Sequence, residues 1–313
     1  MRTSRFRSSR LLVAAATVIS LAALTACGSS DNSDVSSDPN TVVVGSANFT
    51  ESEIIANIYA EALRVNGFDV STSFNIGSRE GYIPALKDGS ITLIPDYTGN
   101  LLQYLDPAAT ATSSEDVLAA LPAALGSELA ITTPASAEDK DAVVVTKETA
   151  DKWNLKTIAD LAPHSAEVKF GAPAEFQERP VGLPGLKATY GLDISASNFV
   201  PIADGGGPAT VNSLASGDIT AANIFTTSAS IPANNFVVLE DPKNNFPAQN
   251  VVPVLRASAS SDKLAAVLDA VSAKLTTEEL LELNVAVSGD AKTEPAAAAK
   301  AWISAQGLDK PVS

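Results

Sequence analysis

From residue 41 onward, short runs of branched apolar residues alternate with longer stretches whose apolar positions recur every three or four residues. Thr41–Gly45 is a β-branched run closed by glycine, the pattern of a buried strand. Thr50 and Glu53 then stand at capping-box spacing, and Ile54, Ile55, Ile58, Tyr59, Ala62 and Leu63 form a helical stripe that ends at Asn66 and Gly67. Phe68, Val70, Thr72 and Phe74 alternate as a second strand. A helix around Tyr82–Lys87 ends at Gly89, and Ile91–Ile94 makes a third strand. Strand–helix–strand alternation with short connections predicts an α/β fold built on mostly parallel sheets flanked by helices.

After an Ala-rich helical stretch over Glu115–Glu128, the pattern restarts. Asp141–Thr146, Glu167–Gly171, Ile219–Phe225, Phe236–Glu240 and Val251–Leu255 read as strands, and Leu186–Tyr190 and Thr210–Ser216 as helical. From Ser260 the chain reads as helix throughout: Lys263–Lys274, Thr277–Val285 and Ala296–Ala305. Helices after two α/β blocks predict a C-terminus that packs back on the first block. An internal echo links the blocks. Leu86, Gly89, Ile91, Thr92, Tyr97 and Thr98 match Leu214, Gly217, Ile219, Thr220, Phe225 and Thr226 at identical spacing. Each set spells a helix end, a glycine cap, a strand and an aromatic–Thr pair beyond it. Ligands of open α/β sheets bind beyond such strand ends, so the echo predicts two lobes facing one another across a cleft.

The first forty residues break the pattern. Arg2, Arg5, Arg7 and Arg10 precede an apolar run, Leu11–Leu24, that is too short to span a bilayer but suits a secretory signal. Leu24-Thr25-Ala26-Cys27 follows and resembles the lipobox of bacterial lipoproteins. It implies a signal peptide over 1–26 and a diacylglycerol on Cys27, holding the protein on the extracytoplasmic face of the membrane. Residues 27–40, rich in Ser, Asp and Asn, read as a flexible tether.

Charge and composition then remove whole classes of function. Loss of the first 26 residues takes four arginines and no acid, leaving 17 bases against 36 acids, a net charge of −19. That balance argues against nucleic acid as a partner. Cys27 is the sole cysteine and His164 the sole histidine, so neither a disulfide, a His-based triad nor a multi-histidine metal site can form. Ser260–Lys263 fits Ser-x-x-Lys and Ser30–Asn32 fits Ser-Asp-Asn, but in the wrong order and without Lys-Thr-Gly. No enzyme activity and no cofactor are expected.

Six segments in order carry a resemblance: Gly45-Ser-Ala-Asn-Phe-Thr-Glu51, Pro95-Asp-Tyr-Thr-Gly99, Phe170-Gly-Ala-Pro-Ala-Glu-Phe176, Gly182-Leu-Pro-Gly-Leu186, Phe225-Thr-Thr-Ser228 and Val238-Leu-Glu-Asp241. Together they resemble the substrate-binding proteins of ABC importers for glycine betaine, carnitine, choline and related osmoprotectants. The resemblance implies a two-lobe periplasmic-binding-protein fold of type II with ligand in the inter-lobe cleft. It also implies permease transmembrane subunits as partners and a monomeric binding protein. Lobe 1 would comprise 41–143 and 253–313, and lobe 2 would comprise 144–252, with crossings near Val143–Thr146 and Val252–Leu255.

By the same resemblance, Tyr97 is a cage wall and Asn100 a donor to a ligand carboxylate. The loop holding Asn48, Thr50 and Ser52 would add donors. A quaternary ammonium offers no N–H, so aromatic faces must hold it, and Tyr97, Phe176 and Phe225 are the expected walls. Where the family usually has tyrosine before the return crossing, this chain has Pro247-Ala-Gln-Asn250. Asn250, Thr226, Thr227, Ser78 and Arg179 would then give a site richer in hydrogen bonds; Arg179 has Glu175 or Glu178 as alternative partners. Tyr82 reads as helix packing or a pocket edge, Gly205–Gly207 as a turn or an anion cradle, and Trp153 and Trp302 as packing outside the site. A lipid-anchored adhesin or sensor on the same fold, and a binding protein for a more polar solute, are the competing readings.

Overall fold

The computed structural model describes residues 40–312. The expected signal peptide, Cys27 and nearly all of the tether lie outside the described residues. The first lobe opens with β1 (Thr41–Gly45), α1 (Thr50–Val65), β2 (Asp69–Ser73), α2 (Arg79–Asp88), β3 (Leu93–Tyr97), α3 (Thr98–Leu105), α4 (Ser114–Leu125) and β4 (Leu129–Ile131). The second contains β5 (Asp141–Val145), α5 (Lys147–Trp153), α6 (Ile158–Leu161), β6 (Phe170–Ala172), α7 (Leu183–Tyr190), β7 (Phe199–Pro201), α8 (Pro208–Ser216), β8 (Ala221–Phe225), α9 (Ser230–Ala233) and β9 (Val237–Val238). The chain then returns through β10 (Val251–Arg256) and ends in α10 (Asp262–Ser272), α11 (Thr277–Ser288) and α12 (Pro295–Ala305).

Two five-stranded sheets result, ordered β2-β1-β3-β10-β4 and β7-β6-β8-β5-β9. The orders are equivalent strand for strand, and the echo in the sequence is part of that equivalence. Leu86 and Leu214 are both fully buried, and Gly89 and Gly217 cap their helices in the left-handed region at φ 87° and 81°. Thr92 and Thr220 even repeat their bonds: the hydroxyls accept from Val43 N and Lys169 N, and the amides donate to Val43 O and Lys169 O.

The parallel share is smaller than the sequence predicts. In each sheet two pairings are parallel (β1–β2 and β1–β3; β6–β7 and β6–β8), and the strand entering from the other lobe pairs antiparallel on both sides. A parallel pairing needs a crossover helix, whereas a strand arriving directly from the opposite lobe is free to run the other way. β5 lies wholly in the second sheet and β10 wholly in the first. The crossing segments brace one another: Ala135 N donates to Val251 O at 2.8 Å, Val251 N to Ala137 O at 3.0 Å and Asp139 N to Gln249 O at 3.1 Å.

α1 is buried almost all round because the first sheet covers one side and the C-terminal helices the other. Its Ile54, Ile55, Ile58 and Leu63 share a core with Leu264, Leu268, Val271, Leu280, Ala299 and Trp302. The C-terminus therefore does return to the first lobe. The expected capping box at Thr50 and Glu53 is absent: Thr50 is the first helical residue, and Phe49 is the cap, with no side-chain cap bond. That one-residue shift leaves the Phe49 ring outside the helix, where it faces the other lobe.

Candidate functional site

A cavity of about 130 Å³ lies where the carboxyl ends of β3 and β8 meet. The first lobe contributes Asn48, Phe49, Ser78, Arg79, Tyr82, Tyr97 and Asn100, and the second Glu175, Arg179, Gly205 and Phe225, with Asp139 from the crossing segment. Tyr97 and Phe225, the two ends of the echo, sit on either side of Phe49. Ring centroids are 6.1 Å apart for Phe49–Tyr97 and 5.2 Å for Phe49–Phe225, both tilted. Phe49 approaches this closely because Gly205, at φ 59°, carries no Cβ; one built there would stand 3.0 Å from Phe49 Cβ. Gly99 does the same for the return crossing, since a Cβ would lie 2.5 Å from Ala248 O.

Behind the rings lies a buried acidic pair. Glu51 on α1 accepts from the Tyr97 hydroxyl, the Thr227 hydroxyl of the second lobe and Asn284 Nδ2 of α11. Asp139 Oδ1 accepts from Thr227 N at 3.0 Å and Thr226 Oγ1 at 3.1 Å. Burial first, then the negative Glu51 beside it, pushes the Asp139 carboxyl well above the usual carboxylate range. Burial and the same acids push the Tyr97 phenol up as well, so it remains a neutral donor. Across the cavity wall, Arg79 donates to Asp96 Oδ1, which also accepts from Tyr97 N at 2.7 Å, while Tyr82 donates to Asp96 Oδ2 at 2.9 Å. Among the described residues no group of three or more His, Cys, Asp or Glu is placed to hold a metal.

A family model for the substrate binding domain of ABC-type glycine betaine transport systems matches residues 40–305. The chain belongs to that family. The chain is similar to the glycine betaine-binding protein YehZ of Escherichia coli, 29% identical over 80% of this chain and 87% of that protein. A glycine-betaine-binding protein of Pseudomonas aeruginosa is 26% identical, covering 83% and 86%. A crystal structure of a glycine betaine/carnitine/choline ABC transporter protein shares the fold at TM-score 0.66 and 23% identity, over 86% of this chain and all of that one.

Of the residues expected at the site, Asn48, Ser78, Tyr97, Asn100, Arg179 and Phe225 line the cavity. The others do not. Phe176 is buried in the second lobe's core, stacked on Phe170 at 5.6 Å. Ser52 Oγ accepts from Ala47 N at 2.9 Å and shapes the turn before α1, and Thr50 is exposed on the first turn. Thr226 and Thr227 stand one layer behind, spent on Asp139 and Glu51. Asn250 bonds Ser114 and Ala135 O away from the cavity. Phe49, Arg79 and Asp139 also line the cavity and were not among the expected residues. Phe49 lay inside a quoted motif as the residue after Asn48, and the capping shift is what turns it inward. Tyr82 is a cavity wall as well as a packed helix residue, since its hydroxyl reaches Asp96.

Proposed function

We propose that this chain is the extracytoplasmic solute-capturing subunit of an ABC importer, and that its solute is a small osmoprotectant with a quaternary ammonium, such as glycine betaine, choline or carnitine. The observation that carries the reading is the aromatic cluster Phe49–Tyr97–Phe225 at the meeting of two equivalent strand ends. Ring faces attract a cation that has no N–H to donate, and the relatives named for glycine betaine support the same choice. In this reading the first lobe runs from residue 41 to the crossing before β5 and resumes at β10. A diacylglycerol on Cys27 would hold the subunit beside its permease, the two chains supplying the stable anchoring that one acyl group lacks. Replacing Cys27 with Ser should move the protein from the membrane to the soluble fraction.

The test is a thermal-shift screen of the folded chain with glycine betaine, choline, carnitine, proline and ectoine. A solute at one hundred times its dissociation constant stabilises by about 2.7 kcal/mol, a shift of several degrees. Absence of a shift with every solute refutes the import reading.

A further inference from the structure

The buried link between the lobes is built on two carboxyl groups. Glu51, in the first turn of α1, accepts from three donors, the hydroxyls of Tyr97 and Thr227 and Asn284 Nδ2. Asp139, in the crossing segment before β5, accepts at Oδ1 from Thr227 N and Thr226 Oγ1, and its carboxyl is within hydrogen-bonding reach of Glu51. Glu51, Asp139, Thr227 and Asn284 are all buried. Two carboxylates that close and that dry repel one another, and such a pair holds together by keeping a proton. The donors already aimed at Glu51 put that proton on Asp139.

The groups packed around the pair do not neutralise it. β3 presents the Tyr97 phenol, the second lobe the neutral Thr226 and Thr227, and α11 the neutral Asn284. The return crossing offers Gln249 O to the Asp139 amide, and the neighbouring Glu138 accepts from Gln249 N at 3.2 Å. The cations that line the cavity are committed to other acids, Arg79 to Asp96 and Arg179 to Glu80 and Glu175. Burial first, then the charge of Glu51, raises the Asp139 carboxyl in accord with this geometry.

The two acids travel with different lobes. Glu51 belongs to the first, whereas Asp139 is fastened to the Thr226–Thr227 turn of the second. Parting the lobes breaks the Thr227–Glu51 bond and the bond from Asn284 Nδ2 to Thr227 O at 3.1 Å, draws the carboxyls apart and admits water to both. A hydrated aspartic acid gives up its proton near pH 4. We propose that the Glu51–Asp139 pair is a proton-binding site completed only when the lobes meet, so that closing on a solute takes up one proton from water and capture tightens as pH falls. The proposal rests on the import reading for its solute. Glycine betaine does not titrate above that pH, so any proton exchanged on binding belongs to the protein.

The experiment is calorimetric titration of glycine betaine into the wild-type chain and into Asp139→Asn at pH 5, 6, 7 and 8, each in two buffers of different ionisation enthalpy. The dependence of the measured heat on the buffer counts the protons taken up. Wild-type affinity should fall as pH rises, by up to about tenfold per pH unit where uptake approaches one proton per solute. Asp139→Asn should bind without proton uptake and with an affinity independent of pH. Wild-type binding with no uptake at any of these pH values overturns the inference and leaves the import reading standing, as does uptake that persists unchanged in Asp139→Asn. Should Asp139→Asn not fold, infrared difference spectra of the wild type decide: solute must bring up the band of a protonated carboxyl, and its absence overturns the inference. Failure of the wild type to bind glycine betaine, choline or carnitine removes the import reading and the inference with it.

Discussion

Asp139 gives the structure a testable dependence on pH. It is 3% exposed, holds the Thr226–Thr227 turn of the second lobe, and faces Glu51, itself 5% exposed. Burial and the charge of Glu51 raise its folded-state pKa; the Thr227 bonds oppose this without cancelling it. The unfolded chain releases that proton near pH 4, as any aspartate does, while the folded chain keeps it. Folding then takes up a proton between those two values, and stability falls as pH rises across the window, by about 1.4 kcal/mol per pH unit for one group. The contribution is fully present below the unfolded pKa and is lost as pH approaches the folded one.

Asp139→Asn removes the titration but keeps an oxygen for Thr227 N and an N–H that can point at Glu51. Urea denaturation of both proteins at pH 5, 6 and 7 should show the variant gaining on the wild type by about 1.4 kcal/mol for each unit within the window. Parallel stability profiles for the two proteins would refute the reasoning, because they would mean that Asp139 ionises at its ordinary pKa despite its burial.

Phe49→Ala should weaken glycine betaine binding by about 1 to 2 kcal/mol, roughly five- to thirtyfold, with a smaller effect on melting temperature because Phe49 is half-buried; calorimetry alongside melting curves checks both. Leu86→Ala and Leu214→Ala, equivalent positions that are both fully buried, should each cost about 2 to 5 kcal/mol in denaturant unfolding, and a near-zero cost at either would break the equivalence of the lobes.

The sequence carried the architecture well because both lobes are built from local units that bury one face. Strand β1, helix α1 and the α2–β3 unit each announce themselves by period and by a glycine cap, and the C-terminal helices by their apolar stripes. Two strands, β4 and β7, escaped. Each has only three residues, and Leu129–Ile131 runs on from an Ala-rich helix, whereas the equally short β6 and β9 lie in longer runs that read as strands. Strand direction was also hidden, since pairing of β10 with β3 is settled by where the chain re-enters the lobe and not by its composition. At the site, Tyr97 and Phe225 were legible because they close a repeated pattern. Arg79 was not. A charged residue at the start of a helix usually points to solvent, and only the Asp96 and Tyr82 bonds turn this one inward.

The same bonds indicate where closure of the lobes draws its energy. Contacts that link the lobes include Asn48 Nδ2 to Ala203 O at 3.2 Å, Arg179 to Glu80 at 3.5 Å, Thr227 to Glu51, and Asn284 Nδ2 to Thr227 O at 3.1 Å. The first two are solvent-exposed, and an exposed ion pair such as Arg179–Glu80 contributes about 0 to 1 kcal/mol. The last two are buried, and one ends on a carboxylate, so breaking them exposes or strands groups whose loss costs about 1 to 3 kcal/mol each. Glu51 also holds the hydroxyl of Tyr97, whose ring faces the cavity. A solute pressed against that ring is therefore one side chain away from the strongest link between the lobes. In the proposed reading, binding and closure share Tyr97 and Glu51, and a change at either residue should move both together.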